Sequence, residues 1–130
     1  MRREWTKSQR RLLRELSGKA YDRELARELG ALETDFLRWR RGEIDVHKLS
    51  EQIHRFHNGP ARQLYLDYTG THLELSVGAA LGRGVLTEEE ATPEILEALK
   101  GLIELARERW DEEDGNDESK GASSGNDPGD

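Results

Sequence analysis

The chain has 130 residues, of which 36% are charged and 34% belong to the set AVILMFWYC, so we expect one small hydrophobic core. It contains no cysteine, which excludes disulfides, thiolate zinc sites and a cysteine nucleophile. No apolar run has the length of a membrane helix and no signal-like segment follows Met1, so we expect a cytoplasmic protein without a membrane partner.

The net charge of -7 is unevenly distributed along the chain. Residues 1–41 carry 12 Lys and Arg against 7 Asp and Glu, whereas residues 42–110 carry 7 against 12 and residues 111–130 carry 1 against 8. The basic first third fits either an acidic partner or compensation by the acidic remainder of the same chain.

The first helix is predicted to begin after Thr6, which forms a capping-box pattern with Gln9. Beyond Gly18 one apolar stripe continues at steps of three and four residues. Its members are Tyr21, Leu25, Leu29, Leu32, Phe36 and Trp39. The stripe predicts one long helix to about Arg41, with Gly42 as its stop.

Asp45 is predicted to cap the second helix. The apolar face of that helix repeats at steps of three, four and three residues, at Val46, Leu49, Ile53 and Phe56. Residues 58–60 predict a turn, and Pro60 suits the first turn of a third helix that runs to about Tyr68.

Three further helix starts are predicted at capping patterns that begin with Thr71, Thr87 and Thr92. In the first of these segments Gly78 and the alanines after it would let a neighbouring helix approach closely. The last helix carries an apolar stripe at Ile95, Leu99, Leu102, Ala106 and Trp110. These elements together predict an all-α fold, a compact bundle of five or six helices in one domain over residues 1–110.

Residues 111–130 read DEEDGNDESKGASSGNDPGD, and Ala122 is their only member of the set AVILMFWYC. Ordering such a segment costs chain entropy that no apolar burial offsets. We therefore expect a disordered acidic C-terminal tail, which either solubilises the protein or masks a basic face.

The four histidines fall between His47 and His72, and three of them share the second predicted helix. His47, Glu51 and His54 follow the four- and three-residue spacing that brings side chains together, so they are candidate ligands for a divalent metal. No HExxH motif is present, and three ligands on one helix rarely complete a tetrahedron. A polar surface strip is the alternative, and we expect no cofactor.

A histidine-rich corner surrounds the predicted turn at residues 58–60. Because the N-terminus of the next helix would present free amide groups there, nearby donors are candidates for binding a phosphate or carboxylate. These candidates are His54, His57, Arg62 and Tyr65. The alternative is a structural corner, in which His57 stabilises the end of its helix and Arg62 pairs with Asp67 or Glu51. No nucleophile with an activating partner is identifiable, so we do not expect an enzyme.

Within residues 24–42 a Leu-Ala pair precedes Leu-Gly by two residues, an aromatic residue lies six after the glycine, and Arg-Trp lies eight and nine after it. The residues concerned are Leu25, Ala26, Leu29, Gly30, Phe36, Arg38 and Trp39. This spacing resembles the helix-turn-helix of phage-repressor-like DNA-binding domains, which implies a turn near Gly30 and a recognition helix after it. The nucleic-acid candidates are then Thr34, Arg38, Arg40 and Arg41. Ala31 and Leu32 depart from the family pattern, in which a larger aliphatic residue and a capping residue stand.

Three functional interpretations follow from the sequence. The leading one is a noncatalytic helical protein that binds a macromolecule, most simply another protein, through the basic N-terminal helices or the histidine-rich corner. The second is a DNA-binding regulator built on the helix-turn-helix, and the third is an anion or metal site at the corner. The sequence leaves the identity of the partner and the oligomeric state open.

Overall fold

The computed structural model describes residues 4–70 and 72–123, and of residues 113–123 it describes the backbone alone. In this part of the chain all regular structure is helical and no strand is present, which confirms the all-α prediction. The chain divides into two compact units, Met1–Val77 and Gly78–Asp130. The single domain over residues 1–110 stays a prediction.

The first helix, α1, spans Lys7–Arg40 without interruption, which at about 1.5 Å per residue makes it about 50 Å long. Thr6 and Gln9 form the predicted capping box: the Thr6 hydroxyl accepts from the Gln9 amide at 3.1 Å, and the Gln9 side chain accepts from the Thr6 amide at 2.9 Å. After the helix, Gly42 takes a φ of 78°, a left-handed conformation that favours glycine, and it ends the helix as predicted.

The helix-turn-helix implied by the resemblance over residues 24–42 is not formed, and the prediction of one long helix to about Arg41 is confirmed. Gly30 lies inside α1, and the Thr34 hydroxyl donates a 3.2 Å hydrogen bond to the Gly30 carbonyl, as occurs in a continuing helix. The apolar stripe keeps its helical period across Gly30, and neither Ala31 nor Leu32 can cap a new helix. The local sequence therefore favours a continuous helix over a turn at Gly30.

The predicted turn at residues 58–60 is also wrong. α2 (Val46–Phe56) and α3 (Arg62–Thr69) are joined by a π-helical turn, His57–Ala61, so the run is continuous. Pro60 has no amide hydrogen, and in a regular α-helix its ring would clash with the carbonyl of Phe56; the wider π turn accommodates both effects. We call residues 46–69 the α2–α3 helix. Its start is as predicted, because the Asp45 carboxylate accepts a hydrogen bond from the Lys48 amide at 2.7 Å.

α1 and the α2–α3 helix pack against each other as an antiparallel pair, which we call the hairpin. Near one end Tyr68 donates a 2.6 Å hydrogen bond to Glu24, and its ring stacks on Tyr21 with centroids 5.3 Å apart. Further along, Phe56 lines the same groove as Leu29. Rising residue numbers on α1 thus meet falling numbers on the α2–α3 helix, which establishes the antiparallel direction.

Half of the buried side chains of the first unit belong to the N-terminal half of α1, and the others to later elements of the unit. The buried side chains are Leu13, Leu16, Ser17, Ala20, Leu49, Leu64, Tyr68 and Val77. The stripe from Tyr21 to Trp39 is helical as predicted, but it is only partly covered: Leu29 is 47% exposed and Phe36 is 39% exposed, whereas Leu25 is half-buried. Helical periodicity reveals which side of a helix is apolar; it does not reveal whether another element covers that side.

The second unit is built from the end of α4 and two further helices. The bounds are α4 (Leu73–Gly82), α5 (Pro93–Ala98) and α6 (Lys100–Ser123). Thr87 forms the predicted capping box with Glu90 over a single 3-10 turn, and Thr92 caps α5 by accepting from the Ile95 amide. The cap predicted at Thr71 lies outside the described residues.

α4 and α6 approach closely at two glycines, of which Gly78 was predicted to allow such an approach and Gly82 was not. A Cβ at Gly82 would lie 2.7 Å from the Cβ of Ala106, and one at Gly78 would lie 2.8 Å from the Cβ of Leu102. The stripe predicted for the last helix is partly wrong, because Ile103 is buried whereas Trp110 is 44% exposed. The buried side chains of this unit are Ala80, Leu81, Leu86, Ile95, Leu99 and Ile103.

α6 continues into the segment predicted as an acidic tail. Asp111 and Glu112 are helical and exposed, and helical backbone is described as far as Ser123. The side chains from residue 113 onward and the whole of residues 124–130 lie outside the described part of the chain. The disorder and the masking role proposed for the tail therefore stay predictions. Among the helices described, none has an apolar stretch long enough to cross a membrane.

Candidate functional site

A groove of about 470 Å³ lies on one face of the hairpin, between α1 and the α2–α3 helix. Its lining consists of Tyr21, Leu25, Leu29, Phe56, His57, Asn58, Ala61, Arg62 and Tyr65. The walls are mainly apolar and aromatic, and apart from the Tyr21 phenol their polar side chains belong to the α2–α3 helix. The volume lies in the range of about 300–1,000 Å³ that is usual for binding clefts.

On α1 the apolar surface continues beyond the groove toward the loop between the two helices. At about 100° per residue, Leu25, Leu29 and Phe36 lie about 20°, 60° and 40° around α1 from half-buried Leu32, all in the same direction. These three side chains therefore form one row along one side of α1.

On α2 a matching row lies beside buried Leu49, which marks the side that faces α1. Val46 and Ile53 are displaced from Leu49 by about 60° and 40° in the same rotational direction as the row on α1. In an antiparallel helix pair, equal rotation from the contact side brings both rows to the same face of the pair. Val46 is 55% exposed and Ile53 is 39% exposed.

The two rows and Tyr65 at the groove make a single surface, which we call the apolar face. Its members are Leu25, Leu29, Phe36, Val46, Ile53 and Tyr65. All except half-buried Leu25 rank among the exposed large apolar side chains, and Tyr65 is 58% exposed. By contrast, Leu66 is exposed on the far side of α3, about 200° from buried Leu64, and is not part of this surface.

The opposite face of the hairpin is polar. Glu28, Asp35, Gln52 and Arg55 are among the residues around a shallower hollow there. Its charges are neutralised locally: Asp35 pairs with Arg38 at 3.6 Å, and Glu51 pairs with Lys48 at 3.6 Å and with Arg55 at 2.5 Å. The hairpin is therefore amphipathic as a pair of helices, with one apolar and one polar face.

The two edges of the apolar face carry opposite charge as far as Glu33; beyond it the exposed Arg40 also lies on the edge of α1, about 80° from Leu32. On α1, Asp22 and Glu33 lie about 80° and 100° from Leu32, beside the apolar row. On the α2–α3 helix, His57 and Arg62 lie at the groove. Within the described part of the chain, none of these four exposed side chains has an ion-pair or hydrogen-bond partner. The edges are thus available to a binding partner.

The histidine-rich corner is assembled only in part. Of the anion candidates, His57, Arg62 and Tyr65 line the groove together, whereas His54 is not among its lining residues. The anion site depended on a free helix N-terminus after residue 59, and the prediction of that terminus is wrong. The helix is continuous there, and the Arg62 amide donates to the Gly59 carbonyl. Anion binding by the remaining side chains stays a prediction.

The pairing predicted for Arg62 in the alternative structural corner is not formed. The Asp67 carboxylate accepts a 2.9 Å hydrogen bond from Gln63, and Glu51 is occupied by Lys48 and Arg55. Arg62 therefore remains a solvated cation at the rim of an apolar groove.

The metal candidates His47, Glu51 and His54 are not assembled into a site. The Glu51 carboxylate is held by two cations, and the described residues contain no group of three His, Cys, Asp or Glu side chains placed to hold a metal ion.

The nucleic-acid candidates make local contacts within and after α1. Arg38 pairs with Asp35, and Arg41 lies 3.7 Å from Glu43. The guanidinium of Arg40 lies 5.5 Å from the ring centroid of Trp39. Thr34 bonds to its own helix, as described above. No recognition helix separate from α1 carries these residues.

Sequence reasoning missed the apolar face, because helical periodicity places side chains on one side of a helix without showing whether another element covers that side. One available signal was the length of the apolar stripe on α1, which extends over 19 residues. The helix that follows Gly42 is its nearest partner in the chain, and a single helix covers only part of such a stripe. Comparison of the chain with models of protein families, with curated proteins and with solved structures found no match.

Proposed function

We propose that this chain is a noncatalytic helical protein that binds another protein through the apolar face of the hairpin. The observation that carries the proposal is the row of large apolar side chains at Leu29, Phe36, Val46, Ile53 and Tyr65, each between 39% and 58% exposed. Contiguous exposed apolar surface bordered by polar residues is typical of protein interaction sites.

The shape of the surface favours a protein over a small molecule. A small ligand is usually enclosed on most sides, whereas the apolar face is an open strip that continues past the groove. From Val46 to Tyr65 the strip is about 28 Å long at about 1.5 Å per residue, close to the length of a five-turn helix. A groove between two helices is a common docking site for an amphipathic helix.

The free energy available is moderate. Full burial of one Leu, Ile or Phe side chain contributes about 1.5–3 kcal/mol. Five side chains that are about half exposed therefore offer on the order of 5 kcal/mol per copy of the apolar face. Association costs translational and rotational freedom, so a stable complex also needs complementary charge at the edges of the face.

The groove supports binding better than catalysis. Its polar side chains are one imidazole, one guanidinium and one amide, from His57, Arg62 and Asn58, together with the phenols of Tyr21 and Tyr65. Among the described residues, none of these side chains is hydrogen-bonded to another, so no nucleophile is paired with a base.

The test is photo-crosslinking of the full chain in the cells that make it. A photoreactive amino acid replaces Leu29 or Ile53 on the apolar face, or Ala31 or Gln52 as matched controls on the polar face. We expect adducts of discrete mass from the first pair and none from the second. Adducts of equal yield from all four positions, or from none of them, would contradict a protein interface on this face.

A further inference from the structure

We infer that the protein bound at the apolar face is a second copy of this chain, so that two hairpins pack face to face as a four-helix assembly. The inference rests on the proposed function, because it names the partner of the same face. It is carried by the arrangement of charge at the two edges and by the symmetry that this arrangement permits.

The edges of the face are complementary to each other. Asp22 and Glu33 give α1 an acidic edge, and His57 and Arg62 give the α2–α3 helix a basic edge. All four side chains are exposed and, in the described part of the chain, have no partner within their own copy. A helix that fits beside the basic edge needs an apolar row with an acidic flank, and α1 of this same chain has that pattern.

A twofold axis parallel to the helices satisfies both edges at once. It places α1 of each copy over the α2–α3 helix of the other, so that the acidic edge of each copy faces the basic edge of its partner. A symmetric dimer requires a surface that complements itself, and this arrangement provides one. A twofold axis perpendicular to the helices would instead place α1 over α1, with like charges together, which disfavours that orientation.

The heights of the charges along the hairpin agree with the parallel axis. Within one copy Tyr68 meets Tyr21 and Glu24, so Arg62 lies nearly level with residues 26–30 of α1. A parallel twofold axis preserves height, so Arg62 of one copy lies about 6–12 Å along the axis from Asp22 of the other and about 5–11 Å from Glu33 on the opposite side. Arg62 therefore lies between the heights of the two acidic residues on the edge of α1.

Burial of apolar surface supports the same assembly. In a face-to-face dimer Leu29 and Phe36 of each copy enter the region between the helices of the other, next to the groove that Tyr65 lines. In a symmetric dimer both copies bury their apolar faces in the same interface. The apolar area removed from water is therefore twice that of one face.

The experiment measures the mass of the full chain in solution by light scattering during size exclusion, over a range of concentrations. We expect twice the chain mass of 14.9 kDa at high concentration and a shift toward the single chain on dilution. Leu29→Glu should abolish the dimer, and Gln52→Glu on the polar face should leave it unchanged. Far-UV circular dichroism confirms that each variant is folded.

A charge exchange tests the orientation of the two copies. Arg62→Glu alone and Asp22→Arg alone should each raise the dissociation constant at least about tenfold, and the double variant should recover most of that loss. A dimer that is indifferent to Leu29→Glu and to Arg62→Glu uses another surface, and that result overturns the inference. A chain that stays monomeric but crosslinks at Leu29 to a different protein also overturns it, while the proposed function stands. A monomeric chain without crosslinks overturns both.

Discussion

The phenolic oxygen of Tyr68 donates a 2.6 Å hydrogen bond to the carboxylate of Glu24, 44 residues away in the chain. The Tyr68 ring is buried and stacks on Tyr21, so this contact links α3 to the middle of α1. On the N-terminal side of this contact α1 contributes buried side chains, and on its C-terminal side the apolar row of α1 is open to solvent. The hydrogen bond therefore lies between the segment of α1 with buried side chains and the segment whose apolar row is exposed.

Tyr68→Phe should lower the free energy of unfolding by about 1–2 kcal/mol, because it removes a hydrogen bond to a charged group and leaves Glu24 without that donor. Tyr65→Phe is the matched control, since Tyr65 is exposed; it should change stability by less than about 0.5 kcal/mol. Urea denaturation of both variants in dilute solution measures the difference. Equal effects from the two substitutions would show that the Tyr68 contact does not hold the helices together.

Gly82→Ala should destabilise the protein by about 1–3 kcal/mol despite the higher helix propensity of alanine. The added Cβ would lie 2.7 Å from the carbonyl oxygen of Ile103, a backbone atom that cannot move without displacing α6. Thermal unfolding should report a lower Tm for this variant.

Gly30→Ala is the opposite case and serves as the control for Gly82→Ala. No atom lies within 4 Å of a Cβ at Gly30, which is inside α1, so the substitution should stabilise the protein by about 0.5–1 kcal/mol. A loss of stability at Gly30 would favour a turn at this position over a continuous helix.

The start of most helices was predictable from sequence because capping is local. Thr6, Asp45 and Thr92 each bond to an amide three residues ahead, and the sequence contains both members of each pair. The prediction at Pro60 failed because it also used a local rule, namely that a helix ends before a proline. In the structure α2 and α3 both pack on α1, and the helix continues from one to the other through a π turn.

The functional site was less predictable because exposure is a tertiary property. Phe36 and Leu16 belong to apolar patterns of the same helix, yet Leu16 is 2% exposed and Phe36 is 39% exposed. His57 and Arg62 were identified from composition, but their position at the rim of a groove depends on Leu25 and Leu29 from a distant part of the chain.

Leu29→Ala should cost less than about 1 kcal/mol of stability in dilute solution, because the side chain is about half exposed. Leu16→Ala, in the core, should cost about 2–5 kcal/mol. Chemical denaturation below the concentration at which the chain associates measures both. Comparable losses would place Leu29 in the core and remove the basis for a binding face.

The most direct measurement of whether protein covers the apolar face is the rate at which single cysteines react with a maleimide. The chain has no cysteine of its own, so Leu29→Cys and Ile53→Cys report the apolar face while Ala31→Cys and Gln52→Cys report the polar face. We expect slow labelling of the first pair in cells and in concentrated solution, fast labelling after dilution, and fast labelling of the second pair throughout. Fast labelling of Leu29→Cys and Ile53→Cys under every condition would contradict a protein interface on this face.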